Sequence, residues 1–154
     1  MNARWIRLGT LGQEEFDAAC VRLAAAQRPQ AAPILAWAQS ETHFLFALIA
    51  PRRLAPGRAS RWLPWGVAPA IAAYRQLGVR AYLEGEAICL HGERIAAVTV
   101  REIRDCVVVA SSFLDRLPSA LMEDTLRLRL EAQHGWQFDH SWPTAPERVN
   151  YALA

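Results

Sequence analysis

Apolar residues recur along this chain with two periods, one typical of helices and one typical of strands. The first helical stretch has a single apolar stripe, formed by Phe16, Ala19, Cys20 and Leu23. Because a proline restricts the residue before it, this helix should end before Pro29.

Two more helices are predicted further along the chain. One runs from about 65 to 77 and stops at Gly78, which can adopt the left-handed conformation. The other starts near Pro118 and reaches His134. We expect its buried side to be formed by Leu117, Leu121, Leu128 and Ala132.

Short apolar runs between these helices predict strands. They span 5–8, 33–38, 43–50, 79–83, 87–90, 94–100 and 104–113. The run 43–50 is apolar on both faces, which is typical of a central strand. Neighbouring hairpins with helices between some of them predict an α+β domain, with a mixed or mostly antiparallel sheet and helices packed on one side.

The chain of 154 residues is predicted to form one domain over 1–154. Its last segment, 136–154, is too aromatic for a linker, because it contains Trp136, Phe138, Trp142 and Tyr151. We expect this tail to dock on the body of the protein, with a partner-binding surface as the alternative.

All 17 basic side chains are arginines, and the chain has no lysine. This excludes a Schiff base on a lysine, a P-loop lysine and a lysine general base. The net charge is only +2 and the arginines are scattered, so we expect no nucleic-acid partner. No signal peptide or membrane-length apolar run is present, which predicts a cytoplasmic protein without a membrane partner.

The three cysteines, Cys20, Cys89 and Cys106, are odd in number and widely spaced. They match no zinc-ligand pattern, so we predict buried free thiols and no metal site. No cofactor is predicted.

Three stretches carry a family resemblance, at 43–51, 63–79 and 87–97. Their order and spacing resemble the lipoate/biotin protein ligase and octanoyltransferase superfamily. The first is similar to an apolar strand that ends in proline, the second to a helix that ends in Leu-Gly-Val, and the third to the hairpin that carries the Gly-x-Lys-Ile-Ala-Gly segment. The resemblance implies a biotin/lipoate ligase-like fold over roughly 33–114.

The sequence departs from the family where the chemistry would lie. Arg94 stands where the resemblance implies a lysine near the acyl carboxylate and the adenylate. A guanidinium can still bind a carboxylate or a phosphate. Glu86 and Ala87 replace an Asn-Asp pair, and Ala97 replaces a glycine that permits close backbone approach. The glycine-rich or arginine-rich loop before the long strand is also missing.

The candidate ligand-binding residues are Arg94, His91, Glu86 and His43, and no catalytic residue is assigned. Each also has an ordinary structural interpretation. Arg94 could form a surface salt bridge with Glu86 or Glu93, and Glu86 could be one of two exposed glutamates at a strand end. His91 could be a solvated turn residue, and His43 could be an edge residue of its strand.

Three functional hypotheses follow. The first is a divergent, non-ligating relative that binds a small acyl ligand or an acyl or lipoyl carrier domain. The second is an ATP-independent acyltransferase, in which Arg94 holds the substrate and a cysteine or a water attacks. The third is an interaction module that acts through the aromatic tail and the loop from Arg52 to Trp65, for example in homodimer formation.

Overall fold

The computed structural model describes residues 1–114 and 119–148. Within them lie eight strands: β1 (Asn2–Thr10), β2 (Ile34–Gln39), β3 (His43–Pro51), β4 (Tyr82–Glu84), β5 (Ala87–Leu90), β6 (Glu93–Ile103), β7 (Cys106–Leu114) and β8 (Gln137–Ser141). The helices are α1 (Gln13–Ala25), α2 (Trp62–Gln76) and α3 (Ser119–His134). No helix of the described residues is long and apolar enough to cross a membrane.

The strands form one sheet in the order β4-β5-β6-β7-β3-β2-β1-β8. β1 pairs in parallel with β2 and β8, and the other neighbours are antiparallel. The prediction of an α+β domain with a mixed, mostly antiparallel sheet is therefore confirmed.

Side chains alternate between the two faces of the central strand β3, and both faces are covered. Phe44, Phe46 and Leu48 belong to the core beneath α2 and α3. Leu45, Ala47 and Ile49 belong to a second core beneath α1. The expectation that the helices pack on one side holds for α2 and α3 and is wrong for α1. A strand that is apolar on both faces needs a cover on each.

The buried side of α3 differs from the prediction. Leu121 and Leu128 are exposed, at 47% and 58% of their surface. The residues that pack on the sheet are Met122, Leu126 and Leu130. Both sets recur at helical spacing, so the pattern alone did not select between them. Leu117 and Pro118 lie outside the described residues.

Helix α2 begins at Trp62, three residues earlier than predicted, and packs very closely on the sheet. A Cβ atom on Gly66 would lie 2.6 Å from Cβ of Val109 on β7. Glycine at this position thus allows the helix backbone to approach the strand.

The C-terminal segment contributes the edge strand β8, which the sequence did not predict. Trp136 and Phe138 are buried, and Phe138 makes an edge-to-face contact with Trp5 of β1 at 5.5 Å between ring centroids. Trp142 is 82% exposed. Tyr151 lies outside the described residues.

Candidate functional site

The neighbouring strands β6 and β7 separate at one end of the sheet. Their pairing runs from Ile103–Cys106 to Val98–Ser111 and stops there. Beyond that point β6 continues to Glu93 beside β5, while β7 continues to Leu114 beside β3. We call this opening, formed by residues 93–97 and 112–114, the sheet fork.

Backbone groups face into the base of the sheet fork. The N–H of Val98 donates to the carbonyl of Glu86 on the β5 side, at 2.9 Å. Because successive peptide groups of a strand point to opposite neighbours, the N–H and carbonyl of Ala97 face β7. The Ala97 carbonyl accepts a 3.0 Å hydrogen bond from Oγ of Ser111, which is buried. The Ala97 N–H is directed into the fork.

Three of the four predicted site residues lie at the same end of the sheet. Arg94 lies on β6, opposite Cys89 of β5, and His91 occupies the turn that joins these two strands. Extending the β6–β7 register past its last pair brings residue 95 level with Leu114, which pairs with His43. Arg94 and His43 are therefore two strands apart, a separation of about 10 Å or more.

Glu86 lies away from this group, in the turn before β5, where its carbonyl accepts from the Val98 N–H. Arg94, Glu86 and His91 are exposed, and His43 is half-buried. Arg94 belongs to none of the ion pairs found in the described residues, so a salt bridge from Arg94 to Glu86 or Glu93 is not observed there.

The two histidines are held by local geometry. His91 and Gly92 both have positive φ, at 52° and 80°, as a type I′ hairpin turn requires. Nδ1 of His43 lies 2.6 Å from Oγ1 of Thr42.

A cavity that was not predicted from the sequence lies between α1 and the sheet, with a volume of about 100 Å³. Its lining from α1 consists of Asp17, Cys20 and Val21, and its lining from β6 and β7 consists of Thr99, Arg101, Ile103, Val108 and Ala110. Alternation along β6 places Thr99, Arg101 and Ile103 on the same face as Ala97. The side chain of Ala97 therefore lies on the same face of the sheet as the cavity.

Arg101 is the cationic group of this cavity. It is exposed and takes part in no ion pair of the described residues, so its donors are available to a ligand. Asp17 instead accepts a 3.0 Å hydrogen bond from Gln13. The alternation of polar and apolar residues along β6 indicates which of its side chains share this face of the sheet. The sequence does not indicate that α1 covers that face.

Solved structures with this architecture are known. A Thermoplasma acidophilum lipoate protein ligase with bound lipoic acid matches 96% of this chain and 92% of its own, with a TM-score of 0.80 and 10% identity. The bipartite lipoate protein ligase of the same organism, studied with its E2 lipoyl domain, matches with a TM-score of 0.81 and 9% identity over 96% and 89% of the chains. This chain has the lipoate/biotin protein ligase fold.

A biotin acetyl coenzyme A carboxylase synthetase of Helicobacter pylori, with bound biotinylated ATP, shares the ligase fold at a TM-score of 0.60 and 14% identity, over 84% of this chain and 75% of its own. At such identities the likeness is one of fold. Neither a protein-family model nor a curated protein sequence matches the chain.

Within the ligase fold, the connection between β2 and β3 is short. β2 ends at Gln39 and β3 begins at His43. Ser40 closes this turn, because its N–H donates to the His43 carbonyl at 2.9 Å and its Oγ accepts from the His43 N–H at 3.0 Å. The glycine-rich or arginine-rich loop that the resemblance implies at this place has no counterpart here.

The cysteines are buried free thiols, as predicted. Burial raises the pKa of Cys20, and the nearby carboxylate of Asp17 raises it further, while Arg101 lowers it. Burial and the neighbouring Asp105 raise the pKa of Cys106 to about 11. These two thiols are held in their protonated, weakly nucleophilic form. This disfavours them as nucleophiles for an acyltransferase.

Proposed function

We propose that this chain binds a small acyl group, free or carried on a lipoyl or acyl carrier domain, and does not activate it with ATP. The acyl chain would occupy the cavity between α1 and the sheet, and Arg101 would bind the carboxylate or carbonyl end. The observation that carries this proposal is the cavity itself, which combines apolar side chains with one guanidinium group, that of Arg101.

The walls of the cavity suit an alkyl chain. Val21, Ile103, Val108 and Ala110 contribute apolar surface around a volume of about 100 Å³. This space suits a short alkyl segment, and it opens to solvent on one side. Burial of each methylene group contributes about 0.8 kcal/mol.

Arg101 is a better candidate for the polar end of the ligand than Arg94. Arg101 lines the cavity, whereas Arg94 is about 20 Å away along β6 by strand geometry. Arg94 and the N–H of Ala97 would be met only by a longer ligand that extends along the face to the sheet fork. The carboxylate of Asp17 would oppose a ligand carboxylate at the same site.

Three features support binding without activation. The β2–β3 turn leaves out the loop that the resemblance associates with the family. Ala97 carries a methyl group where the resemblance implies a glycine, and no lysine is available to stabilise a mixed anhydride. Arginine keeps the charge but differs from lysine in reach and hydration.

The test is isothermal titration with straight-chain carboxylic acids of two to eight carbons, together with lipoate, biotin and ATP. We expect affinity to rise with each carbon until the cavity is filled, and then to level off within the series. Arg101→Gln should weaken binding about tenfold or more, and Asp17→Asn should strengthen it, because a like charge is removed.

Arg129→Gln serves as the matched control, since Arg129 lies on α3 and is bound to Gln76 outside the cavity. Its affinity for the acids should equal that of the unaltered protein. If the affinity for the acids depends neither on chain length nor on Arg101, the cavity is not the binding site. Release of pyrophosphate from ATP in the presence of an acid would show that the protein activates the acid, which contradicts the proposal.

A further inference from the structure

Six exposed arginines gather at the end of the sheet opposite the sheet fork. They are Arg28, Arg52, Arg53, Arg58, Arg61 and Arg104. This surface, which we call the arginine end, is built from the segment after α1, the connection between β3 and α2, and the β6–β7 turn. Although the arginines are scattered in sequence, the fold brings them together.

Direct contacts join two of these segments to the end of α1. Nε and Nη2 of Arg53 donate to the carbonyls of Pro29 and Ala31, at 3.0 and 3.1 Å. Nη1 of Arg104 donates to the carbonyl of Ala25 at 3.1 Å. Because these acceptors are neutral, they hold the guanidinium groups in place without cancelling their charge.

Arg52 links the remaining parts of the arginine end. Its N–H donates to the Asp105 carbonyl at 2.8 Å, and its guanidinium pairs with Glu102. The same guanidinium lies 5.9 Å from the ring of Trp62, the first residue of α2. Arg58 and Arg61 come just before this residue, so they lie at the same end.

The net charge of the arginine end differs in sign from the net charge of the rest of the molecule. Counted together with Glu102 of β6, which pairs with Arg52, the three segments hold six arginines and two acidic residues, the second being Asp105, for a net charge of +4. The remaining chain holds 11 arginines and 13 acidic residues, for a net charge of −2. The small overall charge therefore hides a positive pole.

The positive pole also conflicts with the local preference of α2. The N-terminus of a helix carries partial positive charge and favours acidic neighbours. Here Arg61 is the N-cap residue, Arg58 precedes it, the first turn has no acidic residue, and no side chain caps the helix. A local rule that is broken without a compensating contact is typical of a functional surface.

We propose that the arginine end is a docking surface for an acidic protein segment that presents several carboxylates. Arginine forks bind carboxylates bidentately, and those of Arg53 and Arg104 are already positioned by backbone carbonyls. A protein is favoured over a single-stranded nucleic acid because the aromatic residue of this surface, Trp62, is buried and offers no stacking platform. This surface is distinct from the acyl cavity, and the proposal does not depend on acyl binding.

The test measures anisotropy of a fluorescent peptide of alternating glutamate and serine, roughly twelve residues long, at low salt. We expect Arg58→Glu with Arg61→Glu to weaken binding about tenfold or more. The matched control is Arg80→Glu with Arg127→Glu, which makes the same change of net charge away from the arginine end. Its affinity should stay within about twofold, and added salt should weaken binding to the unaltered protein.

Both double variants should remain folded, because all four side chains lie outside the cores. An acid at the N-cap of α2 should even raise the unfolding midpoint slightly. Equal weakening in both double variants, or no binding of the peptide to the unaltered protein, would overturn the proposal. Tighter binding of a short DNA duplex than of the peptide at physiological salt would assign the surface to nucleic acid instead and would also overturn it.

Discussion

Glu147 joins the C-terminal segment to the body of the protein through a buried carboxylate. It is 5% exposed and forms a two-pronged ion pair with Arg4 of β1, with N–O distances of 2.7 and 2.8 Å. It also accepts hydrogen bonds from the Thr144 N–H, at 2.8 Å, and from Gln27 after α1. A buried charge with this many donors is fully compensated.

These contacts make stability depend on pH. Burial alone would raise the pKa of Glu147, but the hydrogen bonds from Arg4, Thr144 and Gln27 outweigh it and lower the pKa to about 2, from an ordinary value of 4.5. The contribution, about 3 kcal/mol, should be fully present above about pH 5 and lost as the pH falls toward 2. Urea unfolding at a series of pH values measures it.

Glu147→Gln should lower the free energy of unfolding near neutral pH and remove most of this acid dependence. Glu41→Gln is the control, since Glu41 is exposed in the β2–β3 turn. If the free energy of unfolding of Glu147→Gln depends on pH in the same way as that of the unaltered protein, the ion pair with Arg4 is not the source of the acid dependence.

His134 is a second residue whose pKa depends on how it is packed. Its ring packs against the indoles of Trp65 and Trp136, at 5.0 and 4.8 Å between ring centroids, and these two indoles also contact each other at 6.0 Å. Burial lowers its pKa, although a hydrogen bond with the Trp65 backbone raises it. Nε2 is buried without a hydrogen-bond partner in the described part of the chain, which is consistent with the neutral form.

At the scale of elements, the amphipathic pattern of α3 allowed two choices of buried side, and contacts with other elements select one of them. The predicted stripe and the observed core stripe differ by a rotation of the helix about its axis. The observed side includes Glu123, which is buried and accepts hydrogen bonds from Nε1 of Trp5 at 2.6 Å and Nε of Arg7 at 2.8 Å. These two donors, together with the apolar contacts, hold α3 in its observed rotation.

Two leucines two residues apart test this rotation. Leu126→Ala should lower the free energy of unfolding by about 2–5 kcal/mol, because Leu126 is 1% exposed and its removal leaves a cavity. Leu128→Ala, at a position 58% exposed, should change it by less than about 0.5 kcal/mol. Equilibrium denaturation of both variants measures these losses. A larger loss for Leu128→Ala than for Leu126→Ala would favour the stripe predicted from the sequence.

At the scale of the whole molecule, β8 extends the sheet beyond β1 and covers its aromatic core. Trp136 and Phe138 use their rings inside the protein, where Phe138 contacts both Trp5 and Trp136. These two rings are therefore not available to a partner, in contrast to Trp142. An interaction role for this segment would rest on Trp142 and the edge of β8.

Phe138→Ala should cost about 3–5 kcal/mol of unfolding free energy and change the near-ultraviolet circular dichroism of the Trp5 cluster. Trp142→Ala removes a larger side chain at an exposed site and should cost little. If both variants keep the melting temperature of the unaltered protein, β8 does not contribute to the folded core.

Much of the fold was predictable because its signals are local. The apolar run 43–50 predicted the central strand β3, and the sequence His91-Gly92-Glu93 predicted the turn between β5 and β6, although Glu93 is already part of β6. β8 was missed because its residues 137–141 alternate weakly and gain their structure from the parallel pairing with β1. Of the candidate residues, Arg94, His91 and His43 lie at one end of the sheet and Glu86 lies apart from them, and their role in binding a ligand stays a prediction.

By itself the sequence determined the number and kind of most elements, the absence of lysine chemistry and the shortness of the β2–β3 connection, because each depends on residues that are neighbours in the chain. Only the tertiary structure decided which face of α3 is buried, where α1 meets Arg101, and that six scattered arginines form one surface. Those outcomes depend on contacts between residues far apart in sequence, and the hydrophobic effect that drives them is non-directional and leaves several arrangements open until the whole core is packed.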